Sequence, residues 1–259
     1  MADFVSLEKV DRVAVVTIDN PPLSVLSKPV TQQLGETFAK IAQDRDVIVA
    51  LLTGTGQKAF MAGADITEFP ESIGKPGMKE KILETHRVFN QIERMPKPVI
   101  AVLNGITFGG GCELALACDL RIAEAHAQIG LPEIKLGLFP GGGGTQRLPR
   151  LIGEAKAKEL MFLGEPIDAN EAEKIGLVNK VVSSGDGLSA ALKAANKMSS
   201  YSLQALSRIK AAVNQGLDLT IDQGLDVEAD LFDEVFQTKD VEEGVRAFIE
   251  KRKPSFTHE

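Results

Sequence analysis

The chain has 259 residues, 44% of them apolar, and sets 29 basic against 36 acidic side chains for a formal net charge of −7, which is enough apolar material for one large domain or a large one with an appendage. Its basic residues are spread along the sequence, so the basic stripe that would hold nucleic acid or an anionic membrane is missing and neither partner is expected. No apolar run nears the roughly 20 residues of a membrane span, the N-terminal MADFVSLEKVDR has no apolar leader stretch, and the two cysteines fit a soluble protein of a reducing cytoplasm.

Phe4 to Val10 and Arg12 to Ile18 read as the two strands of a hairpin, stopped by Asn20-Pro21-Pro22. From Pro29 to Asp44, Val30, Leu34, Phe38 and Ile41 recur at helical spacing. Val47 to Thr53 is continuous, apolar and β-branched, as in a strand buried on both faces, and it leads through Gly54 and Gly56 to the small-residue segment Ala62-Gly63-Ala64-Asp65-Ile66. That segment predicts an exposed backbone N–H ahead of a short helix. Pro70 to Lys79 is rich in proline and glycine and predicts a loop, and Glu80 to Met95 predicts a helix with Ile82, Val88, Phe89 and Ile92 on its apolar side.

Pro98 to Leu103 is a second buried strand, ending at Asn104-Gly105; after Gly109-Gly110-Gly111, the Ala- and Leu-rich Cys112 to Cys118 favours helix. Further on, Gly141 to Gly144 is a tight backbone passage, with Thr145 expected to cap the helix that follows. Residues 154 to 163 read as helix. Asp168 to Glu171 forms a capping box for a helix to Lys174, and Val178 to Val182 reads as a strand. Beyond it the pattern is helical throughout, at about 188 to 199, 202 to 214, 218 to 237 and 240 to 251. The order of elements predicts a mixed α/β core over residues 1 to 185 and an all-helical region over 186 to 259. Leu225, Leu231, Phe232, Val235 and Phe236 exceed what that region buries by itself, which predicts a homo-oligomer.

The chemistry concentrates between Pro98 and Glu133. A buried strand feeds a glycine turn that opens a helix, leaving the first N–H groups of the helix unpaired in the positive end of its dipole. Glu113 falls in the first helical turn, and Glu133 lies twenty residues on, after Gly130-Leu131-Pro132. Two carboxylates beside a site for a developing oxyanion point to acid/base work. Taken singly, each glutamate also fits a helix-stabilising acid near an N-terminus. A dinucleotide site in an NAD-dependent oxidoreductase is disfavoured, because the GxGxxG spacing would need glycine at Leu114. His86, His126 and His258 are scattered, Gly105 to Gly109 imitates a serine elbow but carries Thr107, and Cys112 and Cys118 lie on different helical faces. These features favour neither a metal site, a serine triad nor a disulfide.

Three segments, AFMAGADI at 59 to 66, PKPVIAVLNGITFGGGCELALACD at 96 to 119 and IGLPEIKLGLFPGGGGTQRLPRLIG at 129 to 153, resemble the signatures of the crotonase (enoyl-CoA hydratase/isomerase) superfamily, and the likeness runs along nearly the whole chain to Phe256. It implies an α/β spiral of ββα units and a helical C-terminal region that assembles trimers, commonly paired into hexamers. The implied activity is the reversible hydration of trans-2-enoyl-CoA to 3-hydroxyacyl-CoA, the chemistry of fatty acid β-oxidation, with CoA part of the substrate and no metal or other cofactor.

By the same resemblance, the N–H groups of Ala64 and Gly110 form the oxyanion hole, Glu113 and Glu133 are the catalytic acids, and Ala62, Ala64, Asp65, Ile66, Thr67 and Gly110 hold the CoA thioester. Leu23 to Leu26 reads LSVL where many members have a form of NAL. Lys97, Lys253 and Phe256 are further candidates for contact with the CoA phosphates, and Phe69, Ile73 and Met78 for the wall over the acyl chain. Δ3,Δ2-enoyl-CoA isomerases need a carboxylate at the position of Glu133 but not of Glu113, so the presence of both favours hydration. A scaffold or RNA-binding member is disfavoured by the acidic balance.

Overall fold

The computed structural model describes residues 3–259. The hairpin forms as expected: β1 (Val5–Val10) and β2 (Val13–Ile18) pair antiparallel around a turn at Asp11. α1 (Lys28–Gln43) turns Val30, Leu34, Phe38 and Ile41 inward. β3 (Val49–Gly54) then pairs in parallel with β2, and β4 (Ala59–Met61) leaves it for a second sheet. A single 3-10 turn at Ile66–Glu68 precedes α2 (Met78–Arg94).

This alternation repeats. β5 (Val99–Leu103) joins the first sheet and β6 (Ile106–Phe108) the second, before α3 (Gly110–Leu116). β7 (Leu120–Glu124) and β8 (Gln128–Gly130) do the same before α4 (Gly144–Ile152) and α5 (Glu154–Leu163). β9 (Ile167–Asp168), α6 (Ala169–Lys174) and β10 (Lys180–Val182) close the series. The result is a six-stranded sheet in the order β1-β2-β3-β5-β7-β10 beside a four-stranded one, β4-β6-β8-β9. The turns that begin at β3, β5 and β7 each place one strand in each sheet and then a helix, which is the expected ββα spiral.

The central strands β3 and β5 of the larger sheet are buried on both faces, which is why they read as unbroken apolar runs. Val16, Leu52, Ala101 and Leu103 face the main core with Phe38, Phe60, Phe89 and Leu114. Val15, Val49, Leu51, Ile100 and Val102, on the alternate positions, face Ala191 and Ala195 of α7 (Gly187–Ser199). Thus α7, which a division at residue 185 assigns to the helical region, lies across the α/β sheet.

The strands of the second sheet escaped the sequence reading because two or three residues carry no period. β7 escaped for another reason: Arg121 and Glu124 are both buried in it. The Arg121 guanidinium donates to the carbonyls of Leu177, Ala115 and Cys118, while the Glu124 carboxylate accepts the N–H groups of Gly185 and Gly187. Each charge is satisfied by backbone groups, those of Arg121 partly from the turn just before β7 and those of Glu124 from residues about sixty positions on.

α8 (Leu203–Gly216), α9 (Ile221–Phe236) and α10 (Lys239–Ile249) complete the chain. Lys210 ties α8 to the body through Asp119, 2.8 Å away. Phe232, Phe236, Phe248 and Ile249 are exposed on the last two helices. Among the described residues no helix is long and apolar enough to cross a membrane. Both cysteines are buried and free, and burial pushes the Cys118 thiol up to about 12.

Candidate active site

The glycine turn follows the end of β6 in the second sheet. Phe108 of β6 pairs with Gly130 of β8, and the Gly109 N–H donates to the Gly130 carbonyl at 2.9 Å. This pairing brings the segment beginning at Glu133 back over the turn. A side chain at Gly109, whose φ is +50°, would place its Cβ 3.0 Å from Glu133 Oε1 and 3.6 Å from the Cα of Gly63. The turn, Glu133 and the Gly63-Ala64 segment therefore converge on one point.

Ala64 is oriented by the chain beside it. Leu26 donates its N–H to the Gly63 carbonyl at 2.7 Å and accepts the Asp65 N–H at 3.1 Å, forming an isolated parallel bridge. In such a bridge the residue between the two bonded groups turns its own N–H the other way. Gly110 is close by: a Cβ there would stand 3.7 Å from the Ala64 nitrogen. Gly110 is the first residue of α3, so its N–H has no carbonyl within the helix to bond. Two backbone donors from different ββα units thus lie side by side.

The neighbouring positions are placed by similar local bonds. Ala62 donates its N–H to the Leu23 carbonyl at 3.1 Å, so LSVL runs alongside residues 62 to 65. Asp65 Oδ1 accepts both the N–H and the hydroxyl of Thr67, at 3.0 and 2.6 Å, and Ile66 is exposed. A cleft of about 220 Å³ opens next to them, lined among others by Leu26, Ala64, Phe69, Met78 and Ile82.

The two glutamates occupy unlike surroundings. Glu113 is buried, and its Oε1 accepts the Gly144 N–H at 2.8 Å. Burial raises its pKa, while the N–H groups of Gly144, Gly142 and Gly143 and the charge of Arg147 pull it back. Glu133 is half-buried and its Oε2 has no hydrogen-bond partner in the protein. Burial, with a contribution from the Glu113 charge, raises its pKa to about 7. One carboxylate is held and oriented by backbone donors, and the other carries an unengaged oxygen and titrates near neutrality.

Several expectations need correction. Thr145 does not cap α4. The helix begins at Gly144 with Gly143 as its N-cap at φ +111°, and the side chain that takes up a first-turn N–H is Glu113. Lys97 is buried, and its ammonium donates to the carbonyls of Ile41 and Asp44 at the end of α1, so it is no phosphate contact. Phe256 packs near Gly244 of α10, and Lys253 is exposed. The four glycines at 141 to 144 do more than pass under a wall: a Cβ at Gly142 would fall 2.5 Å from Glu113 Oε2, and one at Gly144 3.0 Å from Oε1. His86 of α2, which sequence reasoning left without a part, bonds the Gly141 carbonyl at 2.6 Å.

Comparison with known proteins establishes the family. The family model for enoyl-CoA hydratase/isomerase matches residues 8–259. Among characterised relatives, a short-chain-enoyl-CoA hydratase from Clostridium acetobutylicum is 45% identical over 96% of this chain and 95% of its own length. A crotonyl-CoA hydratase from Syntrophomonas wolfei is 43% identical over 96% of each. The crystal structure of an enoyl-CoA hydratase from Bacillus anthracis superposes with a TM-score of 0.95 at 37% identity, covering 99% of this chain and 100% of that one.

The spiral of ββα units with a helical C-terminal region is the fold of the crotonase superfamily of enzymes. The chain belongs to its enoyl-CoA hydratase/isomerase family, and within the family it stands with the enoyl-CoA hydratases.

Proposed function

We propose that the protein hydrates trans-2-enoyl-CoA thioesters reversibly to 3-hydroxyacyl-CoA, with short chains such as crotonyl-CoA as its substrates. The substrate class follows the named relatives, and the observation that carries the mechanism is the unequal setting of the two glutamates. Glu113, held by backbone donors, is the base that takes a proton from water as the oxygen adds to C3. Negative charge then moves to the thioester oxygen, where the N–H groups of Ala64 and Gly110 stabilise it; one such donor is worth roughly 3 kcal/mol in other enzymes. Glu133, with a pKa of about 7, is available in its protonated form near neutrality and delivers that proton to C2.

In the reverse direction Glu133 removes the C2 proton and Glu113 protonates the departing hydroxide. Protons and water balance in both directions, so the reaction calls for no redox group and no metal. Asp65, Ile66 and Thr67, with Ala62, line the approach along which the pantetheine and adenine of CoA are held. We place the protein in the cytoplasm as a trimer or hexamer, on the strength of its free buried thiols and the exposed aromatic face of α9 and α10.

The test is direct. Addition of crotonyl-CoA and longer trans-2-enoyl-CoAs to the pure protein should remove the absorbance of the conjugated enoyl thioester and yield 3-hydroxyacyl-CoA. A protein that leaves that absorbance unchanged, and instead brings 3-enoyl-CoA into conjugation, is an isomerase.

A further inference from the structure

Arg147 lies on α4, outside every segment to which a catalytic part has been given, and its guanidinium makes an unusually complete set of contacts. Nη2 donates to Asn90 Oδ1 at 2.6 Å and to Glu93 Oε2 at 2.8 Å, and Nε donates to Glu93 Oε1 at 3.2 Å. Asn90 and Glu93 stand three apart on α2 and so share a helical face. They form a platform that fixes the plane of the guanidinium, whose side chain is only 13% exposed. The remaining nitrogen, Nη1, donates to the Gly142 carbonyl at 3.3 Å and lies so close over Gly143 that a Cβ there would come within 2.2 Å of it.

The carbonyl of Gly142 and the N–H of Gly143 belong to one peptide plane, and in a trans peptide they point in opposite directions. Fixing the carbonyl on Arg147 therefore turns the Gly143 N–H to the far side, where the Glu113 carboxylate lies and where this N–H helps to hold it ionised. His86 anchors the preceding carbonyl, that of Gly141, and the Gly144 N–H completes the grip on Glu113.

We infer that Arg147 is a positioning residue for Glu113: braced on Asn90 and Glu93 of α2, it sets the peptide whose opposite edge faces the carboxylate. The inference rests on the reading of Glu113 as the base. A lysine supplies a positive charge but not a planar fork that spans Glu93, Asn90 and Gly142 together. Charge and orientation are therefore separable by substitution.

The experiment measures kcat, KM and the pH profile of kcat/KM for crotonyl-CoA hydration in Arg147→Met and Arg147→Lys, each also combined with Glu113→Gln. Arg147→Met should lower kcat about tenfold to a hundredfold with KM little changed, because a misplaced base costs rate and not binding. The acid limb of its profile should move to higher pH, since loss of a nearby cation raises the pKa of the base. Arg147→Lys should restore the limb while recovering little of kcat. In the Glu113→Gln background, Arg147→Met should cost nothing further.

A rise in KM with kcat unchanged, an unmoved acid limb, or losses that multiply in the double variant would each overturn the inference. If Arg147→Met does not give folded protein, Glu93→Gln, which loosens the fork but keeps the Arg147 charge, should lower kcat with KM held and leave the acid limb in place, and an unchanged kcat there would overturn the inference. The two levels fail differently. Glu113→Gln with near-native hydration removes the base assignment itself, whereas an inactive Glu113→Gln with multiplicative Arg147 losses removes only the part given to Arg147.

Discussion

The Glu113 carboxylate accepts the Gly144 backbone N–H at 2.8 Å across thirty-one positions of sequence, so an acid from the first turn of α3 serves as the first-turn acceptor of α4. A carboxylate at a helix N-terminus is stabilised in its charged form. Here that stabilisation opposes the penalty of burial, as the part of base proposed for Glu113 requires.

On the proposed mechanism the two glutamates have separable parts. Glu113→Gln keeps the shape of the side chain but cannot take a proton from water, so hydration should fall by about 10² or more with the fold intact. A side activity that moves a 3-enoyl double bond should survive better, since it needs no activated water. Glu133→Gln should lower both together. Assaying both reactions on both variants decides the matter: equal loss of both activities in both variants refutes the division of labour.

Gly142→Ala and Gly111→Ala should fail in different ways. The Cβ at position 142 would press on Glu113 Oε2 at 2.5 Å and on Phe89 at 3.3 Å, so the folded variant should lose kcat while its KM holds. At position 111 the Cβ would stand 2.1 Å from the Met61 carbonyl oxygen, a backbone atom of β4. That change should cost about 1–3 kcal/mol of stability or more, read as a lowered urea midpoint, because the strand has nowhere to go.

The pH dependence follows from Glu133. As a general acid with a pKa of about 7, it should make kcat/KM fall as pH rises through that value, and Glu133→Gln should erase this limb along with most of the rate. Stability carries the same sign. The folded pKa lies above the unfolded one, so the folded state holds a proton that the unfolded state releases between them, and stability is lost as pH rises from about 4.5 to about 7. Relative to the wild type, Glu133→Gln should therefore gain thermal stability between pH 5 and pH 8. A constant difference in Tm across that range would contradict the raised pKa.

Phe69 and Met78 line the cleft beside Leu26, Ala64 and Ile82. Trimming both to Ala should shift the ratio of kcat/KM between longer enoyl-CoAs and crotonyl-CoA, with less effect on the crotonyl-CoA rate itself. An unchanged ratio would remove these side chains from the acyl wall.

Assembly is tested by sedimentation. Phe232, Phe236, Phe248 and Ile249 are more than 60% exposed in the single chain, which a stable subunit would cover against its own copies. The protein should sediment as a trimer or hexamer at micromolar concentration, and a monomer there would refute that reading.

What the sequence determined by itself is local. α1 and α2 were legible because their apolar residues recur at helical spacing, and the hairpin and the buried central strands because short apolar, β-branched runs are bounded by turn residues. The turn at Gly109 to Gly111, the acid at Glu113 and the small residues around Ala64 were legible because a glycine-rich strand-to-helix passage exposes backbone donors wherever it occurs. Only the tertiary structure decided the rest. The strands of the second sheet have two or three residues each and draw their bonds from other ββα units, and β7 hides its buried face behind Arg121 and Glu124, whose charges are met by backbone carbonyls and N–H groups that only the folded chain brings to them. The cradle of Glu113, from the N–H groups of Gly142 to Gly144 to Arg147 and the α2 residues that brace it, joins segments more than thirty residues apart. Hydrogen bonds of that span leave no period in the sequence, because what fixes them is the position of one helix against another.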